Sequence, residues 1–168
     1  MKAETIFFNC GDHLQRTLSS EIDEVFAVID SIRWSDSFSH QIDGKRYKHQ
    51  SGYNKAFEAE FVRLGWETQP VLRIEPKLIG DFRKGIVFVE IQFGNSATLY
   101  RDYYKFQYGL ANGLLSLAVL VVPTKPAAFF PSRPTSVNNM ADYALATTCL
   151  KTLPINVPTM LVGLKPED

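Results

Sequence analysis

Residues 86–93, IVFVEIQF, constrain the fold more than any other stretch of the chain. They are β-branched and aromatic with no Gly or Pro, which reads as a strand. Alternate side chains of a strand point to opposite faces. Phe88, Glu90 and Gln92 therefore share one face, and Val89, Ile91 and Phe93 share the other. A second run, residues 114–122, is apolar on both faces and reads as a buried strand. Between the two lies an aromatic-rich helix over about 99–110. Strands buried on both faces need helices on both sides, so the expected fold is α/β: a mixed central β-sheet flanked by helices.

The remaining segments fit that scheme. Ser19 or Ser20 can cap a helix to about Ile32, with Ile22, Val25, Phe26 and Ile29 at helical spacing. Residues 35–52 are polar and rich in turn signals. A second helix is expected over about 53–64, then short strands near 71–74 and 78–82 with a turn at 83–85. Residues 124–136 read as a Pro-rich loop, 138–153 as a last helix and 157–164 as a closing strand.

Composition limits the possible functions. The 168 residues suit one domain, and 45% hydrophobic content supports a core. No apolar run approaches the roughly 20 residues of a membrane span. Residues 1–10 are broken by polar groups, unlike a secretion signal. Two cysteines form no disulfide framework, which points to a reducing cytoplasm. A net charge of zero excludes a bulk polycation, though a local basic groove is compatible with it. Motifs for phosphate-binding loops, zinc peptidases and nucleophile elbows are absent.

The chemistry-bearing cluster is centred on Glu90 and Gln92, about 6–7 Å apart along one strand face. If the chain turns at 83–85, Asp81 on the preceding strand faces Glu90. Two carboxylates beside a main-chain carbonyl suit a hard divalent cation. Polar residues at alternate positions also occur on an ordinary solvated face. The apolar flanks argue against an edge strand, and buried polar groups need partners or a use.

Asp81, Glu90 and Gln92, followed by Phe93-Gly94-Asn95, resemble the active-site segment of BglII-type restriction endonucleases. These form a branch of the PD-(D/E)xK nuclease fold in which Gln replaces the usual Lys. Residues 60–66, 117–124, 130–131, the helix from about 138 and residues 157–164 are similar to further family segments in the same order. The likeness covers about 53–164 of one endonuclease domain, 1–168, with an N-terminal helix and basic loop over 17–52. The chain is short for the family.

The resemblance implies a type II site-specific deoxyribonuclease of a prokaryotic cytoplasm, using Mg²⁺ with Mn²⁺ as a substitute. It implies cleavage of palindromic double-stranded DNA by a homodimer, leaving 5′-phosphates. Asp81, Glu90 and the Ile91 carbonyl become the metal ligands, and Gln92 the residue that orients water. The family's polar residue after the Trp maps to Gln69 or Glu67. Base contacts are expected from Gly94, Asn95, Arg133, Ser136 and Asn138, although Ser136 or Asn138 also suits the cap of the last helix. Phosphate contacts are expected from Lys45, Arg46, Lys84 and Arg101. The Tyr-rich helix at 99–110 is a candidate dimer face. A catalytically inactive DNA-binding protein on the same fold is the alternative.

Overall fold

The computed structural model describes residues 1–33, 39–42, 44–48, 50–130 and 137–166, with the backbone alone for 39–42 and 45–48. The elements run β1 (Lys2–Phe8), α1 (Asp12–Thr17), α2 (Ser19–Ser31), β2 (Ser39–Ile42), β3 (Lys45–Lys48) and α3 (Gln50–Arg63). They continue β4 (Glu67–Thr68), β5 (Val71–Arg73), β6 (Leu78–Ile79), β7 (Phe82–Lys84), β8 (Val87–Ile91) and α4 (Thr98–Ala111). The last are β9 (Leu117–Pro123), α5 (Pro126–Phe129), α6 (Tyr143–Thr152) and β10 (Thr159–Lys165).

Six strands form one sheet in the order β1-β10-β9-β8-β7-β4. The centre is parallel, β8 against β9 and β9 against β10, and its flanks are antiparallel. The expected mixed sheet is present. Strict alternation along its strands builds two cores. Val87, Val89, Leu117, Val119, Val121 and Met160 face α2 and α3, where Val25, Val28, Phe57 and Phe61 meet them. Phe88, Ala118, Leu120, Val122 and Leu161 face α4 and α6, where Leu99, Phe106, Ala146 and Leu150 meet them. Each layer removes apolar area from water on its own side of the sheet, so β8 is held from both faces.

Four local departures from expectation have physical causes. The expected strand at 78–82 divides: β6 pairs with β5 in a separate hairpin, and β7 joins the main sheet. The break falls at Gly80-Asp81, so Asp81 precedes β7 rather than lying in a strand. Gly80 N–H donates to the Pro70 carbonyl at 3.0 Å and Gln69 N–H to the Asp81 carbonyl at 2.8 Å, pulling the chain out of the ladder. The N-terminus forms β1, which was not anticipated; it pairs with β10 from Lys2↔Lys165 to Phe8↔Thr159. The polar stretch contains a β2–β3 hairpin. The last helix starts at Tyr143, because Asp142 caps it by accepting from Leu145 N–H at 2.8 Å. Asn138 therefore does not cap it, and Ser136 lies outside the described residues.

Gly80 controls the position of Asp81. A Cβ there would sit 1.8 Å from Phe88 Cζ, inside a closely packed ring. Gly80→Ala is expected to lower stability by about 1–3 kcal/mol, the usual cost of an overpacked core. Urea unfolding with an unchanged slope checks it.

Candidate active site

The site forms where the C-terminal end of β8 meets α4 and the break before β7. The register Phe82↔Val89 carries Asp81 to the level of Glu90. Asp81 Oδ2 accepts from Ile91 N–H at 2.8 Å, which fixes this carboxylate against the end of β8. Glu90 is 3% exposed and points to the α4 face, as strand alternation requires. Its Oε2 lies 2.7 Å from Lys105 Nζ, whereas its Oε1 has no hydrogen-bond partner among the described residues. Gln92 follows β8 and is nearly as buried. Its Nε2 donates to Asp102 Oδ2 at 2.6 Å, and its Oε1 accepts from Gly94 N–H at 2.8 Å. Asp102 Oδ1 completes an ion pair with Lys105 Nζ at 3.0 Å, without the direction of a hydrogen bond. On the other face, Phe93 stacks on Tyr53 at 5.2 Å and meets the Phe130 ring edge-on at 5.8 Å. Those rings anchor the backbone that carries Gln92.

Three carboxyl groups (Asp81, Glu90, Asp102) share this cluster with the Lys105 ammonium, and the Arg101 guanidinium stands near Asp81. Burial pushes the Asp81 carboxyl up from its ordinary range, against the Ile91 N–H and the Lys105 charge. Burial and then Asp81 push Glu90 up well above its own, while Lys105 opposes. Burial pulls Lys105 down, but Glu90 and Asp102 outweigh it, and the ammonium is held charged. Asp81 and Glu90 therefore keep their protons to higher pH than separated carboxyls do.

Two clefts open on this cluster. One of about 160 Å³ is lined by Asn54, Glu58, Thr68, Gln69, Asp81, Phe82 and Ile91. The other, of about 180 Å³, is lined by Gln50, Asn54, Asp81, Glu90, Ile91, Gln92, Phe93, Gly94 and Arg101. Gln69 adopts φ +50° and lines the first cleft, whereas Glu67 pairs with Arg83 at 2.6 Å and lines a separate cleft with it. Arg101 is exposed and lies near enough to Asp81 to favour its charged form. Lys84 is turned away: its Nζ binds both Glu24 oxygens at 2.6 and 2.7 Å and the Leu64 carbonyl at 3.0 Å. Asn95 is exposed and its Oδ1 accepts from Ala97 N–H at 2.9 Å, at the start of α4.

The two segments expected to read bases are tied together. Ser96 N–H donates to the Asn139 carbonyl at 2.7 Å, and Ala141 N–H to the Gly94 carbonyl at 2.9 Å. Asn138 is exposed on this second strip. Arg133 lies outside the described residues, and for Lys45 and Arg46 only the β3 backbone is described. Sequence reasoning missed Asn54, Asp102 and the inward direction of Lys105. Asp102 and Lys105 sit on the stripe of Leu99, Tyr103 and Phe106, and charged residues on an apolar stripe are the signal that marks them.

Among the described residues no group of three His, Cys, Asp or Glu side chains has metal-holding geometry. The donors here fit a hard cation nonetheless. They are the Asp81 and Glu90 carboxyl groups, the latter with one buried oxygen unpartnered among the described residues, and the Ile91 main chain on the same cleft. Such a cation commonly keeps several waters and takes few carboxylates.

The class of the protein, a DNA-cleaving hydrolase, follows from its family. The chain belongs to the family described as Restriction endonuclease BglII/BglIII, whose model matches residues 4–164. It is a type II, site-specific, DNA-cleaving enzyme of a family that generally uses divalent metal ions. Among solved structures it is similar to restriction endonuclease BglII complexed with a DNA 16-mer. That match has a TM-score of 0.76 at 21% identity, over 100% of this chain and 78% of the other. Free BglII matches with a TM-score of 0.67 at 21% identity, over 99% and 81%. No curated protein matches the sequence.

The raised carboxyls make stability depend on pH. Their folded values exceed their unfolded ones, so the folded state binds more protons and stability falls as pH rises above the ordinary carboxylate range. Metal-free protein in EDTA is expected to show this loss in a thermal-shift titration. Glu90→Gln, which cannot ionise, is expected to flatten it.

Proposed function

We propose that this chain is one Mg²⁺-dependent endonuclease domain, with Mn²⁺ as a substitute, that acts as a homodimer in the prokaryotic cytoplasm. It cuts both strands of a palindromic duplex and leaves 5′-phosphates. The observation that carries this reading is the buried Glu90 oxygen without a partner among the described residues, beside Asp81 on one cleft. Asp81, Glu90 and the Ile91 carbonyl would hold the cation, which when bound acidifies water and polarises a phosphoryl oxygen.

The protein's own groups do the positioning. Ile91 N–H holds Asp81 in place. Gln92 orients the attacking water, because an amide donates and accepts but is no strong base. Gln69 lines the first cleft, with Asp81, and its backbone N–H donates to the Asp81 carbonyl. Arg101 at the mouth of the second cleft binds a phosphate by charge-assisted hydrogen bonds. Asn95 reads an adenine edge, with Gly94 and Asn138 on the two tied segments; Ser136 and Arg133, outside the described residues, are the other base contacts. Lys45 and Arg46 are the further phosphate contacts. Lys84 is left out of this set because Glu24 already holds it. The homodimer places one site on each strand of a palindrome. Tyr100 and Tyr104, exposed on α4, offer the matching apolar surface.

Digestion of a long unmethylated duplex tests the reading. With Mg²⁺, discrete fragments are expected, and EDTA should abolish them. Glu90→Ala should slow cleavage roughly 10³-fold or more, the factor that several kcal/mol of barrier implies. Intact DNA under every divalent cation, with folded protein, would overturn it.

A further inference from the structure

Asp102 is fully buried on α4, and the scheme above assigns it neither metal nor DNA. A buried carboxylate is unfavourable unless it is bonded, so its partners indicate its use. Oδ2 accepts from Gln92 Nε2 at 2.6 Å, and Gln92 Oε1 accepts from Gly94 N–H at 2.8 Å. Both contacts run in one direction only. A carboxylate accepts and a peptide N–H donates. The Gln92 amide therefore has one orientation, although the two ends of an amide are nearly identical in shape. A Cβ at residue 94 would lie 2.6 Å from Gln92 Oε1, so glycine leaves room for this contact. Lys105 extends the chain of contacts, with Nζ 3.0 Å from Asp102 Oδ1 and 2.7 Å from Glu90 Oε2.

We propose that Asp102 is a positioning residue for DNA cleavage: it locks the Gln92 amide and, through Lys105, sets that amide relative to the Glu90 carboxylate before DNA arrives. The proposal rests on the nuclease reading above. The second Nε2 proton and the second Oε1 lone pair remain for a water, as a group that orients without deprotonating requires.

Asp102→Asn keeps the shape but replaces an obligate charged acceptor with an amide that can present either end, which leaves Gly94 N–H alone to fix the Gln92 orientation. Three measurements read the effect: single-turnover cleavage of a duplex carrying the mapped site, DNA affinity with Ca²⁺ replacing Mg²⁺, and the side-chain amide proton–nitrogen spectrum of metal-free protein. Gln92→Leu assigns the Gln92 signals. The cleavage rate is expected to fall about 10–100-fold, as for other supporting partners of a metal site. DNA affinity is expected to stay within about twofold, and the Gln92 amide protons to lose a downfield shift present in the wild type. Asp102→Asn added to Gln92→Leu should cost nothing more, because both act through one amide.

Additive losses would overturn the proposal, as would wild-type cleavage by Asp102→Asn. Parallel loss of DNA affinity and thermal stability would make Asp102 a structural prop only. A wild-type Gln92 amide at the ordinary position would also overturn it, even if the variant fails to fold. If the wild type cuts no DNA with any divalent cation, the nuclease reading falls, and the spectrum still decides whether Asp102 locks the amide.

Discussion

The contact between Lys105 on α4 and Glu90 on β8 sets the terms for the rest of the site. It buries an ammonium and two carboxylates in an interface otherwise made of Leu99, Tyr103, Phe106 and Phe88. Such clusters are poor stabilisers: an apolar replacement of similar volume is often as stable or more so, whereas removing one partner costs about 3–5 kcal/mol. Their presence in a core therefore points to use rather than to stability. The exposed pair Glu67–Arg83 has the same chemistry and is worth about 0–1 kcal/mol. Burial alone separates the two. It also fixes how α4 lies on the sheet, since a helix shifted by one residue would strand all three charges.

The centre of the fold was legible because its signal is strong. β8, β9 and β10 are almost wholly buried, and their apolar runs say so directly. β1 was not, because an edge strand with Lys2 and Ala3 exposed and the rest half-buried shows no clear alternation. The β2–β3 hairpin was hidden in the same way by polar sequence. Turn chemistry near Arg83 was read one residue early: the pairing Lys84↔Val87 puts the turn at Gly85-Ile86. Asp142 outcompeted the earlier Ser and Asn residues as a helix cap, a choice that depends on where the preceding loop docks.

Within the site, Asp81, Glu90 and Gln92 were visible because strand periodicity and family likeness agree on them. Their convergence is what the structure shows, with Asp81 bonded to the backbone of β8. Asp102 and Lys105 were obscured by a sound rule, that charged residues on helices are usually solvated. Arg101 is one position away and follows that rule, while its neighbour Asp102 breaks it. Lys84 misled in the opposite direction. It is close to Asp81 in sequence, yet Glu24, far away in the chain, takes its charge.

The backbone bonds between residues 94–96 and 139–141 have a consequence for how such an enzyme diversifies. The strip beside the bases continues directly from Gln92, and its first residue supplies the N–H that holds the Gln92 amide. Exchanging that strip for one with a new preference would disturb the chemistry as well. A lineage built this way cannot trade recognition modules freely; it must change target letter by letter, keeping the glycine and the backbone path while side chains vary around them.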